Sequence, residues 1–117
     1  RYPLARRKLI EEKANGPAII QTLRNEIPGI IPVNPRGSKE SRAHSVSPFV
    51  ESGNVYLPHP AIAPWVFDLI DECANFPASM YNDQVDTLAQ ALLDFDAKKK
   101  RRASGTLKQG STKGWGI

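Results

Sequence analysis

The chain has 117 residues and a net charge of +4, with one cysteine and two histidines. A single cysteine excludes an internal disulfide, and one cysteine with two histidines does not make a zinc site of the usual Cys/His kind. No apolar run approaches the roughly 18 residues that a membrane-spanning helix needs, and no signal peptide is recognisable. We therefore expect a soluble protein of one domain in a reducing, intracellular compartment, without a membrane partner.

Charge is distributed unevenly along the chain. Residues 1–96 hold all twelve acidic side chains and nine Lys and Arg, a net charge of −3, whereas residues 97–117 carry +7. The second segment contains the run Lys98–Arg102 followed by Gly, Ser, Thr and Lys, a composition typical of disorder. We predict a folded domain over residues 1–96 and a disordered basic tail over residues 97–117 that could contact phosphates non-specifically.

The first third of the chain predicts a strand, a helix and a second strand. Lys8–Glu11 and Ile30–Val33 are short runs suited to strands, and Pro32 favours a place near a sheet edge or a strand end. Between them, apolar residues at helical spacing predict a helix over Pro17–Glu26. A strand, a helix and a strand over so short a span indicate a parallel pair.

A second helix and a third strand are predicted next. Ser38 is suited to cap a helix that runs toward Val50, and Pro48 is tolerated in it only if the helix kinks or restarts near Ser47. Turn residues follow, and Val55–Leu57 then predicts a third short strand.

Pro64 opens a third predicted helix with an apolar face. The spacing favours Trp65 as a core anchor over a base-stacking platform, and Cys73 as a small buried residue. Three acidic residues are expected on the solvated side of this helix: Asp68, Asp71 and Glu72.

The last predicted helix has an apolar stripe at helical spacing. It begins at Asn82 or Asp83, either of which can cap its first turn, and it runs to about Phe95. Asp83 and Asp86 are three residues apart and therefore share one helical face.

Two acidic clusters are candidates for metal binding. Glu11 and Glu12 lie at the carboxyl end of the first strand, where open α/β sheets usually place their sites, and only one of them can face such a site. Carboxylates from a strand end and from the start of a helix can together hold one or two Mg²⁺ ions for phosphodiester cleavage. The alternative is that Asp83 caps its helix and Asp86 is solvated.

Three basic residues cluster at the junction of a turn and a helix: Arg36, Lys39 and Arg42. Lys39 and Arg42 share a helical face, so the three side chains could clamp a phosphate backbone. The alternative is a solvated surface. Composition alone does not separate the two interpretations.

Four segments, in this order, closely resemble the C-terminal nuclease domain of the large terminase subunit of tailed bacteriophages. They are Leu9–Ile20, Gly37–Ala43, Glu51–Pro58, and Phe76-Pro77 followed by Asp83–Asp86. The resemblance covers roughly residues 7–95, and the four segments together make it specific.

The resemblance implies a ribonuclease H-like α/β fold, here partial, with a short mixed sheet flanked by helices. It implies a Mg²⁺- or Mn²⁺-dependent endonuclease (a hydrolase) that uses two metal ions to cut concatemeric double-stranded DNA during packaging. Glu11, five residues before Gly16 as in the family motif, maps onto one catalytic ligand, and Asp83 and Asp86 together map onto another. Lys39 and Arg42 match the family's basic helix start and become candidate DNA contacts.

The family further implies other terminase subunits and the portal as partners, in the cytoplasm of a bacterial host. Its first-strand aspartate should precede Glu11, yet no acidic residue does so here, and no phosphate-binding loop of an ATPase is present. We therefore expect the chain to be the C-terminal part of a nuclease domain. Alone, it should bind metal weakly and cut DNA poorly or not at all. The alternatives are a non-catalytic DNA-binding remnant and another ribonuclease H-like nuclease, such as a junction resolvase.

Overall fold

The computed structural model describes residues 3–13 and 16–113, and within this range it describes side chains up to residue 105. The chain divides into two compact units, Arg1–Gly37 and Ser38–Ile117. Among the described residues the elements follow the order β1, α1, β2, α2, α3, α4, so the class is mixed α/β.

The first unit is a strand–helix–strand motif. It consists of β1 (Lys8–Glu11), α1 (Gly16–Glu26) and β2 (Ile30–Val33), and the two strands pair in parallel with Lys8 opposite Ile30. The predicted elements and their parallel pairing are confirmed, although the described sheet has only these two strands and is not mixed. Ile20 and Ile30 are buried where the helix covers the sheet.

The second unit consists of three helices. They are α2 (Lys39–Glu51), α3 (Val66–Asn75) and α4 (Asp83–Lys113), and α4 contacts both of the others. Their buried apolar faces form one core, since removing these side chains from water drives the packing of amphipathic helices. The buried apolar residues of this unit are Val46, Ala63, Val66, Leu69, Val85 and Ala89.

Helix α2 is continuous through its proline. The Ser38 side chain accepts a hydrogen bond from the Ser41 amide and caps the helix as predicted. Pro48 has no amide to donate to the His44 carbonyl, and the Ser47 hydroxyl donates to that carbonyl instead, at 3.1 Å. The helix therefore does not restart near Ser47.

Three local predictions are wrong. Val55–Leu57 is not a strand, because no strand lies beside it in the described part of the second unit and Pro58 follows at once. Trp65 is not a core anchor: it precedes the first turn of α3 and is 43% exposed. Cys73 is exposed rather than buried.

The last helix is longer than its apolar stripe predicts. Helix α4 does not end near Phe95 but extends to Lys113. Lys, Arg and Ala are good helix formers, and Lys100 pairs with Asp96 one turn earlier at 2.7 Å. Residues 114–117 of the predicted tail lie outside the described residues. None of the described helices, α4 included, has an apolar stretch that could cross a membrane.

Candidate metal and nucleic-acid site

Two ion pairs connect α2 to α4 in the second unit. Lys39 and Arg42 are three residues apart on α2, and Asp83 and Asp86 are three residues apart on α4. Because a spacing of three residues keeps side chains on one helical face, each basic side chain of α2 faces one acidic side chain of α4 where the two helices meet. The predicted basic and acidic candidates of this unit are thus brought together, but as partners of each other.

The Arg42–Asp86 pair is buried and doubly hydrogen-bonded. Nε of Arg42 donates to Oδ1 of Asp86 and Nη2 donates to Oδ2, both at 2.9 Å. The two side chains are only 8% and 6% exposed, and the Gln90 side-chain amide adds a bond to Oδ2 at 3.3 Å. Both carboxylate oxygens of Asp86 are therefore engaged, and its charge is neutralised where it lies.

The Lys39–Asp83 pair lies at the surface. Nζ of Lys39 is 2.8 Å from Oδ1 of Asp83 and also donates to Oδ1 of Asn82 at 2.8 Å. The Asp83 side chain is 88% exposed. Exposed pairs of this kind contribute about 0–1 kcal/mol, so an incoming cation or phosphate can displace either partner at little cost.

Glu72 is a residue of this site that the sequence interpretation missed. Its Oε1 accepts hydrogen bonds from the Gln84 and Val85 amides at 2.8 and 3.0 Å, and its Oε2 accepts one from the Gln84 side chain at 3.0 Å. Glu72 is 8% exposed, so its predicted place on the solvated side of α3 is wrong. It also takes the capping role that was predicted for Asn82 or Asp83.

A signal for Glu72 was present in the sequence. Val66, Leu69 and Glu72 are spaced by three and form the buried stripe of α3. A carboxylate on an apolar stripe needs hydrogen-bond partners, and the free amides at the start of a following helix are suitable donors.

Glu11 ends β1 in the first unit. Its Oε1 is buried and forms an ion pair with Lys13 Nζ at 2.5 Å. Glu12, by contrast, accepts a hydrogen bond from the Asn34 side chain at 3.3 Å. Lys13 therefore supplies a positive charge beside the Glu11 carboxylate, and a metal ion at Glu11 would have to displace it.

These contacts decide which residues fit a divalent metal ion. Oxygens of Glu11 and Asp83 suit a hard cation, whereas Asp86 does not fit because a buried guanidinium occupies it. No group of three carboxylate, histidine or cysteine side chains that could hold a metal occurs among the described residues. Arg36, the remaining basic candidate, is exposed at the end of the first unit.

An apolar cavity of about 530 Å³ lies between the three helices of the second unit. Its lining includes Leu69, Val85 and Cys73 but none of the site carboxylates. Although Cys73 is exposed overall, partial burial at this cavity raises the pKa of its thiol above the ordinary 9.0, and the neighbouring charge of Glu72 raises it further. An apolar cavity of this kind does not suit a metal ion.

The sequence profile of terminase RNaseH-like domains matches residues 5–95, which cover most of the first unit and the second unit as far as the first part of α4. No curated protein and no solved structure matches the chain. The profile match confirms the predicted resemblance and the ribonuclease H-like α/β class. Because it covers most of the sequence, the chain belongs to the terminase RNase H-like domain family.

Proposed function

We propose that the chain functions in a metal-dependent DNA endonuclease domain of a viral packaging terminase, which cuts concatemeric double-stranded DNA in the host cytoplasm. One observation carries the proposal: a chain of this family presents Asp83, a highly exposed carboxylate, at the first turn of α4. Other terminase subunits and the portal are the partners that such a role requires.

In this proposal Asp83, on the second unit, is a metal ligand, and Glu11, on the first unit, is assigned as a ligand by the family resemblance alone. Mg²⁺ and Mn²⁺ prefer carboxylate oxygens, and a pair of such ions, when bound, activates water and stabilises the leaving oxygen. In this proposal Lys39, released from Asp83, binds a DNA phosphate, and Arg36, on the first unit, is a separate candidate phosphate contact.

Asp86 and Arg42 have a different role in this proposal. A metal bound to Asp86 would have to displace a buried, doubly bonded arginine and leave its charge unpaired, which costs several kcal/mol. Displacing Lys39 from Asp83 costs about 0–1 kcal/mol. Asp83 is therefore the principal metal ligand of α4, and Arg42–Asp86 is the clamp that holds α2 against α4.

Metal binding at Asp83 is tested by Mn²⁺ titration in the NMR spectrum. Paramagnetic broadening should centre on the amides around Asp83 and should disappear in Asp83→Asn. Asp68→Asn is the matched control, because Asp68 is an exposed carboxylate in the first turn of α3. Equal broadening in Asp83→Asn and in wild type would overturn the ligand assignment.

Cleavage is tested by nicking of supercoiled plasmid, in which one cut per molecule is detected. Because no acidic residue precedes Glu11 to match the first-strand aspartate of the family, we expect the chain alone to nick slowly at most. Any nicking that needs Mn²⁺ or Mg²⁺ should be lost in Asp83→Asn and retained in Asp68→Asn. Metal-dependent nicking that persists in Asp83→Asn would contradict the proposal.

The basic part of α4 favours a second candidate function, a non-catalytic DNA-binding remnant. Lys98–Arg102 are five consecutive cations on a continuous helix, and four of them are exposed. In this alternative the basic segment binds phosphates and the carboxylates are vestigial. Deleting residues 97–117 separates the two candidates: loss of all DNA binding favours the remnant, and retained metal-dependent binding favours the nuclease.

A further inference from the structure

Glu72 is a buried carboxylate that accepts hydrogen bonds from the first turn of a different helix. It lies on α3, twelve residues before Gln84, and binds two backbone amides and one side-chain amide of α4. The first amides of a helix have no acceptor within the helix, so an external acceptor fixes where the helix begins. Glu72 therefore fixes the start of α4 relative to α3. Because Asp83 is the first residue of α4, the same contact fixes the orientation of Asp83.

We propose that Glu72 is a positioning residue for the metal ligand Asp83. The inference rests on the proposed function, because it assigns Glu72 a role in presenting that ligand. Residues that orient a metal ligand without touching the metal typically contribute 10- to 100-fold in metal affinity.

The neighbouring residues do not supply this contact in its place. Asn82 precedes the helix, where a capping side chain would normally lie, but its Oδ1 accepts from Lys39. Asp83 is exposed and is held at its Oδ1 by the same lysine. Glu72 accepts from both the Gln84 and the Val85 amide, and it does so from within the core of the second unit.

Two conservative substitutions separate positioning from charge. Glu72→Gln keeps the length of the side chain and one oxygen that can accept from both amides, but it loses the negative charge. Glu72→Asp keeps the charge but is shorter by one carbon–carbon bond, about 1.5 Å, and cannot reach the amides without movement of the helix. Asp68→Asn is the control for loss of an exposed acid on α3.

The readout is the apparent Mn²⁺ affinity at Asp83, measured from the paramagnetic broadening of nearby amides, with folding monitored separately by urea unfolding. We expect Glu72→Asp to weaken Mn²⁺ binding about tenfold or more while the chain stays folded, and Glu72→Gln to retain most of the affinity. If Glu72→Asp instead kept the Mn²⁺ affinity and Glu72→Gln lost it, the role of Glu72 would be electrostatic and the proposal would be overturned. Unchanged affinity in both variants would overturn it as well.

Local order gives a second, independent measurement. Hydrogen exchange of the Gln84 and Val85 amides should be slow in wild type and in Glu72→Gln, and faster in Glu72→Asp. If the proposed function is wrong, the result is different: the Mn²⁺ broadening would then be the same in wild type and in Asp83→Asn. Slow exchange of both amides in Glu72→Asp would refute the positioning role even if metal binding proved too weak to measure.

Discussion

The buried pair between α2 and α4 is predicted to be the most sensitive electrostatic contact of the second unit. Arg42→Met or Asp86→Leu alone leaves a charge without its partner at a position that is less than a tenth exposed. Removing one member of a buried pair costs about 3–5 kcal/mol, because the desolvated charge that remains has no counter-charge. Changing both residues together is expected to be neutral or stabilising, by up to about 4 kcal/mol.

The second ion pair between the same two helices is the matched control. Lys39 and Asp83 are three residues earlier on each helix, and their contact is exposed. Lys39→Met should therefore cost about 0–1 kcal/mol. The contrast between the two pairs isolates the effect of burial, because the helices and the residue spacing are shared.

The assay is urea unfolding followed by circular dichroism at the helical band. Single domains of this size are stable by about 5–15 kcal/mol, so either single substitution at the buried pair should lower the unfolding midpoint strongly with little change in slope. The double variant should recover the midpoint. The clamp would be refuted if either single substitution at the buried pair changed the free energy of unfolding by less than about 0.5 kcal/mol. It would also be refuted if Lys39→Met destabilised the chain as much as Arg42→Met.

Two further predictions concern Cys73 and Gly29. Burial and the charge of Glu72 raise the pKa of the Cys73 thiol. The rate of its alkylation by iodoacetamide should therefore rise with a midpoint above pH 9.0 in the folded chain and with a lower midpoint in urea. An equal midpoint in both states would contradict this prediction. Gly29→Ala should destabilise the first unit by about 1–3 kcal/mol or more, because φ is +81° and a Cβ would lie 1.9 Å from the Arg6 carbonyl oxygen. Gly53→Ala, with φ +74° but open space around it, is the control in thermal unfolding and should cost less.

Local sequence signals were sufficient to predict the elements of the first unit and helix α2. The strands, helix α1 and the Ser38 cap depend on residues within one or two turns of each other, and such signals are visible in the sequence. The family resemblance was likewise carried by short segments and is confirmed by the profile match. Helix α4 is longer than predicted, because the apolar stripe ends near Phe95 whereas Lys, Arg and Ala after it still favour a helix.

The pairing of the site residues could not be predicted in the same way. Helical spacing showed that Lys39 with Arg42, and Asp83 with Asp86, share faces, but not that these faces meet across 44 residues of sequence. That contact depends on the packing of α2 on α4, which no local pattern encodes. The hydrogen bonds of Glu72 could not be predicted for the same reason. Its spacing indicates the buried stripe of α3, but its partners lie on another helix.

The central claim is that Asp83 binds metal at the start of α4 and that Asp86 belongs to the clamp. Mn²⁺ broadening in the Arg42→Met/Asp86→Leu double variant tests it most directly, because this variant removes the Asp86 carboxylate without leaving a buried charge. We predict that the double variant keeps the broadening around Asp83 and that Asp83→Asn loses it. Loss of the broadening in the folded double variant, with retention in Asp83→Asn, would contradict the account.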